Sequence, residues 1–376
     1  MHRKWILLVV ALLLALSACT TPTQAPATPE SVDATATTVP TDVAPEPTAY
    51  PEPAEEATPY PDSASEPPQE EPVAYPAPEE NVVVPTPNPY PGPDGTQPWP
   101  RTFTDDLDRT IQLVAPPQRI VTLGPSSLES LFAIGAGDQV VGREEFSTYP
   151  EEALEVTSVG SLWGELPTEA ILALEPDLVI APEIISPEQV QSLQDLGLTV
   201  FFQANPVEFD GLWENLSELA ALTGHETEAE ALIAELDARV QAVQEKILPL
   251  SYMPSVFYEL DATDPQNPYT IGAGTFIDTI ITLAGGYNIG QALEGAYAPI
   301  SSEQVITQNP TFILLADAPY GITPDTVAAR AGWDVIAAVQ NGAVYEFDPF
   351  LVSVPGPRLV DGLEAMAKIF HPGVFE

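Results

Sequence analysis

Trp163-Gly-Glu-Leu-Pro-Thr-Glu169-Ala-Ile-Leu-Ala-Leu-Glu-Pro176-Asp-Leu-Val-Ile180 is matched, position for position, by Tyr297-Ala-Pro-Ile-Ser-Ser-Glu303-Gln-Val-Ile-Thr-Gln-Asn-Pro310-Thr-Phe-Ile-Leu314. In each copy an aromatic precedes a Glu by six residues, a Pro follows the Glu by seven, and an apolar run typical of a buried strand comes next. Thr168 and Ser302 immediately before each Glu, or Pro167 and Ser301 one residue earlier, look like helix starts, where a first-turn carboxylate is favoured by the helix dipole. Capping alone would account for either Glu taken singly. A matched pair with matched aromatics is better explained by a two-fold arrangement that presents two carboxylates on one side and two rings at a shared cleft.

The surroundings of both copies alternate short apolar strands with amphipathic helices, the α/β pattern. Arg119 to Leu123 predicts a buried strand, followed by Gly124-Pro125-Ser126-Ser127 and a helix from about Leu128 to Ile134 that stops at Gly135. Asp177 to Ala181 and Thr199 to Phe202 repeat the strand signature, with a helix over Pro187 to Leu196 between them. The series restarts at Ser255 to Leu260, continues through a helix from Thr275 to Ala284 closed by Gly285-Gly286, and adds strands at Phe312 to Leu315 and Ala343 to Phe347. Between the two series lies the most regular helix in the chain. Ala229, Leu232, Ile233, Leu236, Val240, Val243 and Ile247 follow helical spacing with acids opposite, until Pro249. Two Rossmann-like lobes, about 101–223 and 251–376, joined by a backbone helix over about 226–248 with a ligand cleft between them, are therefore expected. A rigid helical connection limits hinge opening, so the cleft should breathe only slightly.

The residues before this domain are of another kind. Residues 1–19 combine a charged start (His2, Arg3, Lys4), an apolar run from Trp5 to Leu16 and Leu16-Ser17-Ala18-Cys19, an export signal too short to span a bilayer. The lone cysteine, Cys19, ends a pattern similar to the bacterial lipobox, which makes it the expected lipidation site and anchors the mature protein outside the cytoplasm. From Thr20 to Pro100 there is no Lys or Arg and 22 of 81 residues are Pro, the composition of a disordered tether. Its polyproline contour would reach about 250 Å.

Charge and composition remove several function classes. The chain carries 11 Lys+Arg against 55 Asp+Glu, a net charge of −44, so nucleic-acid binding by counterion release has no source. One Cys excludes an internal disulfide or a Cys-rich metal site, and three His leave little for a catalytic triad or multi-His metal centre. No Gly-x-Ser-x-Gly elbow, phosphate loop or His-Glu-x-x-His occurs, and Ser126-Ser127 has no His near it in sequence, so neither an enzyme nor a resident cofactor is expected. A tethered adhesion or scaffold domain would share the anchor and the tether. The paired glutamates and aromatics separate it from a binding protein.

Taken in order, Asp105-Asp106-Leu107-Asp108-Arg109-Thr110, Arg119-Ile-Val-Thr-Leu, Leu166 to Ala181, Gly285-Gly286-Tyr287-Asn288-Ile289, Ile300 to Leu315 and Pro355-Gly-Pro-Arg-Leu-Val-Asp-Gly-Leu363 resemble the helical-backbone (cluster A) substrate-binding proteins of ABC importers for iron complexes and cobalamin. Asp108 stands where that family usually has Gly, and Asp tolerates the left-handed turn. The resemblance implies a monomeric two-lobed receptor whose Glu169 and Glu303 dock into arginine pockets of a permease, and an acidic domain would be steered toward such pockets. It also places Trp163 and Tyr297 where cobalamin binders carry ring-stacking aromatics, with Tyr149 at a third such position. Ser126, Ser127, Tyr258, Glu259, Phe276 and Phe350 follow strands or begin helices, where open α/β sheets place ligands. Three aromatics suit a large, flat, partly apolar ligand. A catechol siderophore would draw on several cations, and among the domain's nine Lys and Arg only Arg143 and Arg358 are plausible on the cleft side, Arg358 with a structural role in its Gly-Pro-Arg turn. Haem would ask for an axial His, Tyr or Met, and His225 and His371 sit before the connecting helix and in a C-terminal Phe-His-Pro. The expected ligand is a metal chelate, a corrinoid ahead of a siderophore or haem.

Overall fold

A computed structural model describes residues 98–375. The signal, Cys19 and residues 20–97 of the tether lie outside the described residues. The folded domain takes in Trp99, whose ring packs beside Phe103 and under the Arg101 guanidinium, 4.5 Å from the ring centroid. A short hairpin of β1 (Arg101–Thr104) and β2 (Thr110–Leu113) opens it. Asp108 in its turn has φ of 57°, the left-handed conformation that the sequence demands there.

Lobe one is a parallel sheet of β3 (Ile120–Thr122), β4 (Val140–Glu144), β5 (Thr157–Gly160), β6 (Leu178–Pro182) and β7 (Val200–Gln203), in the order β5-β4-β3-β6-β7. Lobe two holds β8 (Ser255–Glu259), β9 (Tyr269–Ile271), β10 (Tyr287–Asn288), β11 (Tyr297–Pro299), β12 (Phe312–Leu315) and β13 (Val344–Glu346). Four of these form a parallel sheet, β10-β8-β12-β13, while β9 and β11 pair antiparallel beside it. The connecting helix runs from Glu226 to Ile247. The expected two-lobed α/β architecture is the one found, with strand and helix limits shifted by a residue or two at most ends and by three at the start of the first helix, Pro125–Ala133. Among the described residues no helix is long and apolar enough to cross a membrane.

Side-chain alternation along the strands sends apolar residues into separate cores. In β3 and β6, Ile120, Leu178 and Ile180 point one way, and Val121, Val179 and Ala181 the other. In β8 and β12, Val256, Tyr258 and Leu314 oppose Phe257, Ile313 and Leu315 in the same manner. The outward faces fill one core per lobe. The inward faces do not close separately: with Leu236, Val240 and Val243 of the connecting helix they form one continuous core that spans both lobes. The edge-to-face pair Phe209–Phe276, centroids 5.2 Å apart, and the hydrogen bond from Thr279 Oγ1 to the Val207 carbonyl, 3.1 Å, also cross between lobes. The lobes are thus joined by buried surface as well as by the helix, which restrains opening more than the helix alone.

Candidate functional site

In a parallel sheet, ligands gather beyond the carboxyl ends of the strands, and both sheets supply candidate residues there, with Tyr297 added by the antiparallel pair beside the second sheet. Tyr149 follows β4, Trp163 follows β5, Tyr297 opens β11, and Phe350 follows β13. Tyr149, Tyr297 and Phe350 are 47%, 41% and 51% exposed, large for aromatic rings in a packed domain, and Trp163 is partly exposed. Burial and the charge of Glu183 raise the Tyr297 phenol pKa. Glu183 follows β6 in lobe one, so the two lobes are electrostatically coupled at this point. The Glu183 carboxylate is itself fixed by the Asn205 backbone N–H, 3.0 Å away.

The loop that carries Tyr149 is shaped from beneath. Arg143 is buried, and its Nε donates to the Ala153 carbonyl (3.0 Å) while Nη1 donates to the Glu144 and Glu145 carbonyls (3.1 Å each). The Glu144 carboxylate accepts from Phe146 N–H at 2.9 Å and Ser147 Oγ at 3.1 Å, and burial raises its pKa. Arg143 is therefore spent on carbonyls inside lobe one. Arg358 is the cation that meets an aromatic of the cleft, its guanidinium 3.8 Å from the Tyr149 ring centroid. It does more than brace its own turn: its backbone N–H and Nε both reach the Glu129 carboxylate of lobe one, at 2.9 and 2.7 Å. A cavity of about 480 Å³ lies against this group, lined by Phe132, Tyr149, Leu236, Arg239 and Arg358 among others.

The remaining candidates sit below the cleft surface. Ser126 is partly exposed in the first turn of its helix, whereas Ser127 is buried and shares a hydrogen bond with Thr122 Oγ1. Phe276 is 8% exposed and belongs to the shared core. Tyr258 is fully buried, its hydroxyl pKa raised by burial, with Tyr297, Asp348 and Asp317 adding to the shift. Glu259, also fully buried, is bound by both Nη atoms of Arg330 at 2.5 and 2.7 Å. Nor do the histidines offer a metal ligand from the cleft: His225 Nδ1 lies 3.2 Å from the Thr223 hydroxyl and His371 Nε2 lies 3.2 Å from the Gly285 carbonyl.

Asp317, beyond the end of β12, is the second buried carboxylate of this floor. Its Oδ2 accepts from Ala262 N–H at 3.0 Å while Oδ1 has no partner among the described residues. Burial, then the nearby Glu259 charge, pushes its pKa up from 3.8 to about 7. The folded state thus holds a proton that the unfolded chain releases, so this group makes stability fall as pH rises from about 4 to about 7. Asp317→Asn should remove that fall. Urea unfolding at pH 5 and pH 8 should show the variant gaining about 2–3 kcal/mol on wild type at the higher pH; equal differences at both pH values would contradict it.

Glu169 and Glu303 are both exposed, each in the first turn of a short helix, Thr168–Ala173 and Ser302–Gln308. The two helix starts are built differently. Ser301 and Gln304 form a reciprocal capping box, whereas Pro167 gives no side-chain cap. Ser302 is buried and accepts from Trp333 Nε1 at 2.6 Å, and the Arg330 guanidinium lies 4.6 Å from the Trp333 centroid.

Comparison with known proteins adds an independent line. Residues 120–350 match the sequence pattern of the periplasmic binding protein family. An ABC transporter substrate-binding lipoprotein of Bacillus subtilis, YvrC, is 31% identical, the match covering 75% of this chain and 88% of that one. A cobalamin-binding protein of Halobacterium salinarum is 32% identical over 73% of this chain and 74% of its own. Among solved structures, the periplasmic heme-binding protein RhuT from Roseiflexus superposes with a TM-score of 0.61 at 27% identity, covering 68% of this chain and 99% of that one.

Proposed function

The chain belongs to the periplasmic binding protein family, and we propose that it captures a corrinoid between its lobes and delivers it to an ABC permease as a monomer anchored by lipid on Cys19. The family consists of extracytoplasmic transport receptors rather than enzymes. The observation that carries the corrinoid reading is the exposure of three aromatic rings contributed by both lobes, Tyr149 and Trp163 after strands of lobe one and Tyr297 at the start of β11 in lobe two, of which Tyr149 lines the cavity described above. Flat faces from two sides suit a large conjugated ring system. Among the described residues the two cations beside Tyr149, Arg358 and Arg239, are already paired, with Glu129 and with Asp361 and Glu364, which argues against a polyanionic siderophore. The cobalamin-binding relative supports the same choice. Docking would use Glu169 and Glu303, one exposed carboxylate per lobe.

Haem is the second reading, favoured by the half-exposed phenols of Tyr149 and Tyr297, since a tyrosine oxygen can take an axial position on iron, and by the likeness to RhuT. Titrating the protein with cyanocobalamin, haemin and a ferric hydroxamate, followed by tryptophan quenching, separates the readings. Cyanocobalamin should bind with submicromolar affinity, and Trp163→Ala should weaken it by at least about tenfold, as loss of a buried aromatic anchor does. Saturable haemin binding without cyanocobalamin binding would transfer the assignment to haem.

A further inference from the structure

Glu129 lies in the helix Pro125–Ala133 of lobe one, 2% exposed, and among the described residues its carboxylate pairs with no cation of its own lobe. Its partner is Arg358, 229 residues later, at the start of the lobe-two helix Leu359–Phe370. Both carboxylate oxygens are used: Oε1 by the Arg358 backbone N–H and Oε2 by the guanidinium Nε. The turn before Arg358 is cut to fit. A Cβ on Gly356 would stand 3.0 Å from Glu129 Oε1, so glycine lets the backbone close on the buried carboxylate. The same guanidinium covers one face of Tyr149, back in lobe one. A second cross-link lies alongside, where Arg239 of the connecting helix binds Asp361 and Glu364 of the lobe-two helix.

We infer that Glu129 and Arg358 form a cross-lobe clamp that sets the spacing of the lobes and holds the Tyr149 ring, by one face, as a fixed wall of the ligand cleft. The inference rests on the reading of that cleft as the binding site only for its effect on affinity; its effect on lobe spacing stands without a ligand. A guanidinium on one ring face leaves a single face for stacking and fixes the orientation of that face before the ligand arrives, which lowers the ordering cost of binding. Lysine cannot replace arginine here, because it lacks both the planar fork and the flat stacking surface. Glu129 and Arg358 are positioning residues, and Tyr149 is the group that would touch the ligand.

The test uses the full-length protein with spin labels at two exposed positions, Leu196→Cys in lobe one and Val335→Cys in lobe two, and measures the distance distribution between them. Arg358→Lys and Glu129→Gln should each broaden that distribution and weaken cyanocobalamin binding about tenfold, the scale of a lost cation–ring contact. Tyr149→Ala should weaken binding while leaving the distribution narrow, which a purely structural role for the cluster would not produce. Glu129→Gln keeps the shape of the buried group, so a folding failure of Arg358→Lys leaves the test intact. A wild-type distance distribution in either folded variant would overturn the clamp. Absence of cyanocobalamin binding in every protein, with broadened distributions in the variants, would overturn the corrinoid reading and leave the clamp standing.

Discussion

Replacing Arg330 by alanine should cost about 3–5 kcal/mol, because Glu259 would be left charged and unpaired in the interior. Glu259 is fully buried and Arg330 nearly so, its side chain 7% exposed. Removing the guanidinium also strips the Trp333 ring of its cation and leaves Asp317 beside an uncompensated carboxylate. For a domain of this size the loss corresponds to roughly 6–20 °C in the midpoint of thermal unfolding. The paired change Glu259→Leu with Arg330→Met should recover much of it, since an apolar replacement of both partners removes the desolvation cost along with the attraction. A midpoint for Arg330→Ala within about 2 °C of wild type would show that the floor of lobe two tolerates a lone charge. Because Trp333 donates to Ser302 next to Glu303, the same variant should also loosen the helix start that presents that carboxylate.

The double change Glu169→Ala and Glu303→Ala should abolish stimulation of the permease ATPase while leaving ligand affinity unchanged. Each carboxylate meeting a guanidinium fork in a desolvated interface contributes about 2–5 kcal/mol, so one substitution weakens docking at least about tenfold and two remove it. Reconstituted permease with graded receptor concentrations distinguishes the cases: single variants should shift the half-maximal concentration, and the double variant should give no stimulation. Transport surviving the double change would refute the docking role. A loss of ligand affinity would instead assign the two residues to the cleft.

Much of this architecture is legible in the chain because its signals are local. Apolar runs such as Leu178 to Ala181 and Phe312 to Leu315 are strands in any setting where both faces are covered, and the spacing from Ala229 to Ile247 defines the connecting helix. The echo between the Trp163 and Tyr297 segments locates both exposed glutamates in first helical turns, although only the second copy carries a capping box. The helix Phe209–Thr223 is absent from the sequence reading, yet Leu212, Leu216 and Leu219 repeat at helical spacing and would have disclosed it. Other features had no local signal. Tyr258 and Glu259 end a strand and are both fully buried, on opposite faces of the sheet, and only the tertiary structure tells them from neighbours at a cleft surface. Glu129 and Arg358 meet across 229 residues, a separation at which neither composition nor spacing carries information.

The core shared by the inward faces of both sheets bears on how such a receptor could be re-engineered or recombined. Lobes with private cores could be exchanged between receptors as cassettes, each bringing its half of a specificity. Here Ile120, Phe201, Leu236, Val256 and Leu314 belong to one interior, so a half taken from another receptor would have to match it residue by residue across the seam. The exchangeable unit is the whole two-lobed domain. Tyr149, Trp163 and Tyr297, the proposed ring contacts, stand outside that interior, so under that proposal ligand preference could drift at these positions without disturbing the seam.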